Sequence, residues 1–204
     1  MSSVSTPSWR ADVRRQIELS IATKQSLLQD EALISQVERL AQLGLRALRA
    51  GGKIILAGNG GSFADAQHLS AEFTCRFMFD RKPLASVALS TNSSAMSAIG
   101  NDYGYDQVFA RELQALAQPQ DLFIPISTSG NSPNILAAAE VARTLKIATI
   151  GLTGRGGGKL AQLCECICAP ASETARIQEC HILIGHIMCG LVEQEYFAAE
   201  RARS

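Results

Sequence analysis

The 204-residue sequence has no excess of charge of either sign. Lysine and arginine together number 19, aspartate and glutamate also number 19, and the formal net charge at pH 7 is zero. Proteins that hold nucleic acids or anionic membrane surfaces by electrostatic attraction usually carry a basic excess. We therefore expect no nucleic-acid partner and no membrane partner.

Long hydrophobic runs are also missing. The N-terminal stretch MSSVSTPS is polar and has no apolar segment of the kind found in secretory signals. The longest apolar stretch near the other end, HILIGHIMCGLV, is shorter than a bilayer-spanning helix and contains His181 and His186. We expect a cytoplasmic protein with a flexible N-terminus over residues 1–8 and a single domain over residues 9–204.

No Cys-x-x-Cys pair occurs among the six cysteines. Structural zinc knuckles depend on such pairs, so we do not expect one. Cys164, Cys166 and Cys168 alternate along one apolar segment, and the other three cysteines lie in helix-like stretches. We interpret the cysteines as buried free thiols.

After two helical stretches in the first fifty residues, short β-type runs alternate with helical patterns. Apolar strands separated by helices are typical of a parallel sheet that is covered on both faces. In such sheets ligands bind beyond the carboxyl ends of the strands, so the loops there form the candidate site. The predicted strands cover residues 53–58, 84–89, 121–127, 147–153 and 164–170, and the predicted later helices cover 62–79, 91–100, 104–117, 132–145, 156–163 and 173–200.

The loop after the first strand has the sequence AGNGGSF. It does not match a dinucleotide fingerprint, because Phe63 occupies the position of the third glycine and no acidic residue follows at the required distance. Its small residues leave backbone N–H groups free at the start of the next helix, where Ser62 can act as a cap. Such a helix start favours an anion, and a plain strand-to-helix turn is the alternative.

Four hydroxyl groups follow the third strand in the stretch ISTSGNSP. Together with backbone amides at the start of a helix near Pro133, they can hold a phosphate without lysine or arginine. We therefore expect a phosphate ester as the ligand. The glycine-rich stretch LTGRGGGKL after the fourth strand is either a further ligand loop or, as we favour, a connecting turn. The four hydroxyls belong to Ser127, Thr128, Ser129 and Ser132.

One histidine and one glutamate lie four residues apart on the helix after the first loop. His68 and Glu72 share a face of this helix, and Gln178 and His186 lie about 80° apart around the last helix. Imidazoles, a carboxylate oxygen and an amide oxygen make a suitable zinc site. Spacing alone does not establish a metal, since a solvated helix pair and a core histidine give the same pattern.

Five stretches, taken in order, resemble the sugar isomerase (SIS) domain family and, within it, the phosphoheptose isomerases. The resemblance runs from about residue 10 to residue 197 and implies an α/β fold: a three-layer α/β/α sandwich with a five-stranded parallel sheet and extra N-terminal helices. It also implies a homotetramer with active sites at subunit interfaces. The stretches are GNGGSFADAQHLSAEF, AIGNDYGY, ISTSGNS, LTGRGGGKL and RIQECHILIGHI.

The same resemblance implies an activity and a set of site residues. The activity is the isomerisation of sedoheptulose 7-phosphate to D-glycero-D-manno-heptose 7-phosphate, the first step toward bacterial ADP- and GDP-heptose and lipopolysaccharide precursors. Ala175 stands where some relatives have an acidic residue, so no supporting role is carried over to that position. The implied substrate contacts are Asn59, Gly60, Gly61, Ser62, Glu72, Asn101, Asp102, Gln178 and the four hydroxyl residues, and one zinc ion per subunit would lie on His68, Glu72, Gln178 and His186.

The implied acid–base groups are Glu72 and His186. A ketose becomes an aldose when a base removes a proton from C1, an enediolate forms, and a proton is returned at C2. Each positioned acid or base typically contributes about 10²–10⁴-fold. Glu72 fits the carbon base, and His186 fits the shuttle between O1 and O2 because imidazoles titrate near neutrality. Both roles are compatible with zinc if Glu72 binds through one oxygen or if the substrate displaces a ligand.

Two other functions are compatible with a SIS domain. Some relatives are non-enzymatic scaffolds that bind a replication initiator, and a regulatory sugar-phosphate sensor would also need a phosphate loop. The scaffolds lack counterparts of Glu72 and His186, whereas this chain has both. We therefore expect an enzyme.

Overall fold

The computed structural model describes residues 9–202, so the stretch 1–8, which we expected to be flexible, lies outside the described residues. Two helices precede a regular alternation of strands and helices. The helices are α1 (Trp9–Leu28), α2 (Glu31–Arg49), α3 (Gly61–Thr74), α4 (Ser93–Tyr103), α5 (Val108–Leu116), α6 (Pro133–Thr144), α7 (Thr174–Tyr196) and α8 (Ala198–Arg201), and the strands are β1 (Ile54–Ala57), β2 (Ser86–Ala88), β3 (Leu122–Ser127), β4 (Ala148–Thr153) and β5 (Glu165–Cys168). Short 3₁₀ turns lie at Tyr105–Gln107 and Leu160–Gln162.

Five parallel strands form one sheet in the order β2-β1-β3-β4-β5. Because successive side chains on a strand point to opposite faces, β1 contributes to two separate apolar layers. Ile54 and Leu56 pack with α2, α3 and α7, whereas Ile55 and Ala57 pack with α5 and α6. The predicted three-layer sandwich with a five-stranded parallel sheet and N-terminal helices is confirmed.

Helix α2 shows how the local sequence sets an element and its packing. The Asp30 side chain caps its start by accepting a hydrogen bond from the Leu33 backbone N–H at 3.0 Å. Buried residues then recur at three- and four-residue spacings along one face, so this face lies on the sheet layer. Gly44 allows close approach, since a Cβ there would lie 3.4 Å from Ile54 Cδ1 and 3.5 Å from Val192 Cγ2.

The helix predicted over 104–117 begins as a 3₁₀ turn, and the helix predicted over 173–200 is interrupted at Phe197. Two other predicted helices differ more. The helix predicted over 62–79 ends at Thr74, and residues 75–82, which we call the strap, fold back over its end. The stretch 156–163 is a turn followed by a single 3₁₀ turn, because three consecutive glycines, 156 to 158, have positive φ angles.

A buried carboxylate explains why α3 stops. Glu193 of α7 accepts hydrogen bonds from the backbone N–H groups of Phe77 and Met78 at 2.8 and 2.7 Å, and from Arg81 Nε at 2.8 Å. Arg81 also donates to the backbone carbonyl of Glu72 at 2.7 Å, one of the last carbonyls of α3. In the strap, hydrogen bonds to the Arg81–Glu193 ion pair therefore replace the backbone hydrogen bonds that a continued helix would make.

The cysteines are free thiols, as expected, but they are not all buried. Cys166, Cys180 and Cys189 are buried, whereas Cys75 is exposed on the strap. Within residues 9–202, no helix is both long enough and apolar enough to cross a membrane.

The middle of α7 carries a histidine that belongs to the core. His181 is fully buried, its Nε2 lies 3.0 Å from the Thr153 carbonyl oxygen, and its Nδ1 has no hydrogen-bond partner among the described residues. Burial lowers the pKa of His181 to about 4, because desolvation disfavours the charged imidazolium. His181 is therefore neutral and donates through Nε2 to the end of β4.

We predict that acid destabilises the wild-type protein more than a His181→Gln variant. The folded state holds a pKa of about 4 at His181, below the ordinary value, so the unfolded chain binds the proton first and stability falls as the pH drops from about 6.5 toward 4. The wild type should lose roughly 2–3 kcal/mol more than the variant between pH 7 and pH 4.5. Glutamine can donate to the same carbonyl without titrating.

Urea unfolding free energies at both pH values measure this difference, and other titrating groups cancel because both proteins share them. An equal loss in the two proteins would contradict the assignment of a buried neutral imidazole.

Candidate active site

The carboxyl ends of β1, β3 and β4 lie side by side. Ala57 pairs with Pro125, and Ser127 pairs with Thr153, so the loops that follow these strands open at the same edge of the sheet. Ligands bind at this edge in parallel α/β sheets. The predicted first loop, the hydroxyl loop and the glycine-rich loop therefore meet at one place.

The loop after β1 is cross-linked to the start of α6 by two amide side chains. Asn59 Nδ2 donates to Asn134 Oδ1 at 2.8 Å, and Asn134 Nδ2 donates to Asn59 Oδ1 at 2.9 Å. Tyr105 Oη adds a bond to Asn59 Oδ1 at 3.4 Å. Sequence reasoning missed Asn134 and Tyr105. The available signal was that Asn134 comes two residues after Ser132 in the hydroxyl loop.

Helix α3 begins one residue after the tight turn of this loop. Gly60 has φ 55° and ψ −120°, a conformation that favours glycine, and its carbonyl accepts a hydrogen bond from the Phe63 N–H at 3.1 Å. The helix therefore starts at Gly61, and Ser62 lies buried inside its first turn. The prediction that Ser62 caps the helix is wrong, because Gly60 occupies the cap position. Substrate contacts by Gly60, Gly61 and Ser62 stay predictions.

The hydroxyl loop surrounds the start of α6. Ser127 ends β3 and Ser132 precedes the first residue of α6, Pro133, and their hydroxyl oxygens lie 3.0 Å apart. Ser129 Oγ accepts a hydrogen bond from the Asn131 N–H at 3.1 Å. A helix start has unpaired N–H groups and a positive dipole end, so this arrangement favours a phosphate.

The glycine-rich loop packs against the hydroxyl loop through backbone contacts. Gly130 has φ +63°, and a Cβ there would overlap the carbonyl oxygen of Gly157. The Leu160 N–H donates to the Gly130 carbonyl at 2.9 Å, and the Gly154 N–H donates to the Thr128 carbonyl at 3.0 Å. The glycine-rich stretch therefore forms a turn that packs against the hydroxyl loop and fixes its shape.

Three side chains converge between α3 and α7. His68 Nε2 lies 2.9 Å from His186 Nε2 and 3.3 Å from Glu72 Oε1. One ligand atom from each of His68, Glu72 and His186 lies within 4.8 Å of the others. Two imidazole nitrogens approach this closely when one of them donates a proton or when a cation lies between them. Two imidazoles and a carboxylate also match the donors that zinc prefers, so these residues fit a zinc ion.

Phe77 packs on the His186 end of the cluster, whereas His68 and Glu72 are partly exposed. The His186 ring stacks on Phe77 of the strap, with ring centroids 5.5 Å apart and planes at 16°, and it meets His68 edge-on with centroids 5.1 Å apart. The His68 side chain is 50% exposed and the Glu72 side chain 22% exposed. The cluster is therefore accessible to solvent at His68 and Glu72.

Gln178 lies away from this cluster along the helix axis. Its amide packs on Gly61, where a Cβ would lie 2.6 Å from Gln178 Nε2. The angle around α7 brings Gln178 and His186 to a similar face, but eight residues also separate them by about 12 Å of helix rise. Gln178 thus lies beside the first loop in this chain, and its role as a zinc ligand stays a prediction.

Asn101 and Asp102 lie on the exposed last turn of α4, where Asn101 Nδ2 donates to Asp102 Oδ1 at 2.8 Å. The 3₁₀ turn that follows carries Tyr105, which reaches Asn59. This end of α4 is therefore linked to the first loop. Substrate contacts by Asn101 and Asp102 stay predictions. Ala175 is exposed in the first turn of α7.

Asp65 is an acidic neighbour of the cluster that sequence reasoning missed. It lies three residues before His68, and its Oδ2 is buried without a hydrogen-bond partner among the described residues. Burial raises the pKa of Asp65, while the nearby His68 charge acts in the opposite direction. The i, i+3 spacing to His68 was the available signal.

Comparison with known proteins identifies the family. The SIS domain model matches residues 21–154. The phosphoheptose isomerase of Aneurinibacillus thermoaerophilus is 52% identical over 186 residues, which cover 91% of this chain and 94% of that protein. The chain belongs to the phosphoheptose isomerases of the SIS domain family. The phosphoheptose isomerase structure from Neisseria gonorrhoeae superposes with a TM-score of 0.85 and 41% identity, covering 92% of this chain and 100% of that one.

A second phosphoheptose isomerase structure, from Francisella tularensis, has a TM-score of 0.86 and 34% identity over 92% of this chain. The family resemblance seen in the sequence motifs is therefore confirmed. The hydroxyl loop and the glycine-rich loop of this phosphoheptose isomerase family member are in close backbone contact at Gly130. A substitution at this glycine tests how much that contact stabilises the protein.

We predict that Gly130→Ala is far more destabilising than Gly51→Ala. Both glycines have positive φ angles, +63° and +75°, so both substitutions strain the backbone. A Cβ at Gly51 meets nothing within 4 Å, whereas at Gly130 it overlaps the Gly157 carbonyl. The additional cost should be about 1–3 kcal/mol, the range for forced overpacking. Urea unfolding measures both, and equal losses would show that the loops separate without cost.

Proposed function

We propose that the protein converts sedoheptulose 7-phosphate to D-glycero-D-manno-heptose 7-phosphate, as the first step toward bacterial heptose precursors for cell-surface glycans such as lipopolysaccharide. The observation that carries this proposal is the convergence of His68, Glu72 and His186 in a chain that is 52% identical over 186 residues to a phosphoheptose isomerase. An acid–base pair is what separates turnover from mere binding of a sugar phosphate.

Substrate is held at its phosphate by the hydroxyl loop. The Ser127 and Ser132 hydroxyls, 3.0 Å apart, can each donate to a phosphate oxygen, and Thr128 and Ser129 add two more hydroxyls on the same loop. The unpaired N–H groups at the start of α6 add favourable electrostatics. The Leu160 N–H already donates to the Gly130 carbonyl, and the Gly154 N–H to the Thr128 carbonyl, so the hydroxyl loop is preorganised for the anion.

The proton transfers are assigned to Glu72 and His186. Glu72 removes the proton from C1, the C1–C2 double bond of the enediolate forms, and the electron pair of the C2 carbonyl moves to its oxygen. His186 donates a proton to O2 and accepts one from O1, and Glu72 returns its proton at C2. No atom is gained or lost. Glu72 has two oxygens, so Oε1 can face His68 while the other faces the carbon.

We propose one zinc ion per subunit on His68, Glu72 and His186; the predicted fourth ligand, Gln178, would come from a neighbouring subunit, because within one chain it lies beside the first loop. When bound, zinc would polarise the substrate carbonyl and stabilise the negative charge of the enediolate. The two Nε2 atoms at 2.9 Å and the adjacent carboxylate support the assignment by their donor types.

We also propose a homotetramer whose active sites lie at subunit interfaces. Helix α1 supports this, because Trp9, Val13, Ile17 and Ile21 recur every four residues and are 73%, 57%, 55% and 51% exposed. An apolar stripe of this length is typical of a surface that another chain covers. Location in the cytoplasm, with no nucleic-acid or membrane partner, stays a prediction.

We predict that Glu72→Gln lowers kcat by about 10²–10⁴-fold, because the amide cannot accept the C1 proton. The assay follows aldose formation from sedoheptulose 7-phosphate, together with exchange of the C1 proton into deuterated water. Glu140→Gln, an exposed glutamate paired with Arg143 on α6, is the matched control and should keep the wild-type rate.

A Glu72→Gln variant with near-wild-type turnover would rule out the basic role. A wild-type protein that binds the substrate with zinc present but forms no aldose would be a sugar-phosphate sensor, and one that does neither would be a scaffold.

We predict that purified wild-type protein holds one zinc ion per subunit and that His68→Ala or His186→Ala loses it. Elemental analysis after dialysis measures this without reference to activity. His181→Gln removes an imidazole from the same helix as His186 without touching the cluster, so it should keep the metal. Equal zinc content in all four proteins would place the metal elsewhere.

A further inference from the structure

The strap places an aromatic ring in an offset stack on the imidazole of His186. Phe77 and His186 lie at 16° with ring centroids 5.5 Å apart. The other edge of the Phe77 ring is received by Gly190, one turn after His186 on α7, where a Cβ would lie 3.5 Å from Phe77 Cε1. A glycine at this position leaves room for the ring on the same face of α7 as the imidazole.

The position of this ring is fixed through its own backbone. The Phe77 N–H donates to Glu193 Oε1 at 2.8 Å, and Glu193 lies on α7 two turns after His186. Arg81 completes the link by donating to Glu193 at 2.8 Å and to the backbone carbonyl of Glu72 at 2.7 Å. Arg81 and Glu193 are 2% and 0% exposed, so water does not compete for these bonds. One ion pair thus ties Phe77 to both helices that carry the cluster.

The plane of the His186 ring is not set by its own backbone, so it depends on neighbouring side chains. The torsion that turns a histidine ring about its Cβ–Cγ bond has broad, weakly separated minima, so the backbone of α7 alone does not set the ring plane. His186 is only half-buried, and His68 meets it at one edge. A ring stacked on one face of the imidazole restricts its rotation about this bond.

We propose that Phe77 is a positioning residue for His186, and that Glu193 and Arg81 act on the isomerisation by holding Phe77 in place. The effect on catalysis rests on the proposed function, since it requires His186 to be the proton shuttle. The geometric part, orientation of the imidazole by the ring, does not.

Phe77→Leu tests the proposal against Phe79→Leu. Phe79 lies on the same strap and is also half-buried, but it packs edge-on against Phe197 with centroids 6.4 Å apart. We expect Phe77→Leu to lower kcat about tenfold, as misorientation of a reacting group does, while KM changes less than about twofold. Phe79→Leu should leave both constants near wild type. Phe77→Tyr keeps the stacked ring and should restore kcat.

Proton NMR of the histidine rings provides a readout that does not depend on turnover. The chain has three histidines, so His186 can be assigned with single variants. The nuclear Overhauser effect between the His186 and His68 ring protons reports the orientation of the His186 ring relative to its neighbour. It should weaken in Phe77→Leu and stay at the wild-type level in Phe79→Leu. An unchanged effect in Phe77→Leu, or equal loss of kcat in both leucine variants, would overturn the proposal.

The orientation of His186 by Phe77 and the proposed isomerisation can fail separately. If the wild type does not isomerise sedoheptulose 7-phosphate, the proposed function fails, and the Overhauser effect between His186 and His68 alone decides whether Phe77 orients His186. If the wild type is active and that effect weakens in Phe77→Leu without any change in kcat, the orientation holds but its catalytic role is refuted.

Discussion

The buried ion pair between Arg81 and Glu193 is the interaction on which the arrangement of the cluster depends. Two charges without solvent are costly to bury, and removing one partner of such a pair typically costs about 3–5 kcal/mol. Here the cost is offset because the Glu193 oxygens accept two backbone N–H groups as well as the guanidinium, and Arg81 in turn donates to carbonyls at the end of α3. The pair ends one helix, folds the strap and joins α3 to α7.

The layers of the fold could be predicted from the sequence because they depend on local periodicity. Alternation of apolar strands with amphipathic helices implies a covered parallel sheet, and the carboxyl edge then follows from strand direction. The end of α3 could not be predicted this way. Apolar residues continue through Phe79, and the acceptor that diverts the strap, Glu193, lies 116 residues after Phe77 in the chain. A helix boundary set by so distant a carboxylate leaves no local signal.

The candidate site divides in the same manner. The pairing of His68 with Glu72 follows from a four-residue spacing, but the approach of His186 to within 2.9 Å joins residues 118 apart, and only the family resemblance anticipated it. For Gln178, the angle around α7 predicts a face shared with His186, but about 12 Å of helix rise separates the two positions. Asn134 and Phe77 act through tertiary contacts alone, so residue type and spacing did not mark them.

Helix α3 connects the first loop of the candidate site to the cluster of His68, Glu72 and His186. It starts at Gly61 in the first loop, carries His68 and Glu72, and ends under Arg81. Movement of α3 along α7 would therefore disturb both parts together. Close contacts resist that movement, since a Cβ on Gly61 would crowd the Gln178 amide and a Cβ on Gly185 would overlap Leu69. With glycine at these two points, the helices approach closely enough for side chains to interlock, so close packing acts together with the Arg81–Glu193 pair to hold the first loop and the cluster of His68, Glu72 and His186 in fixed relation.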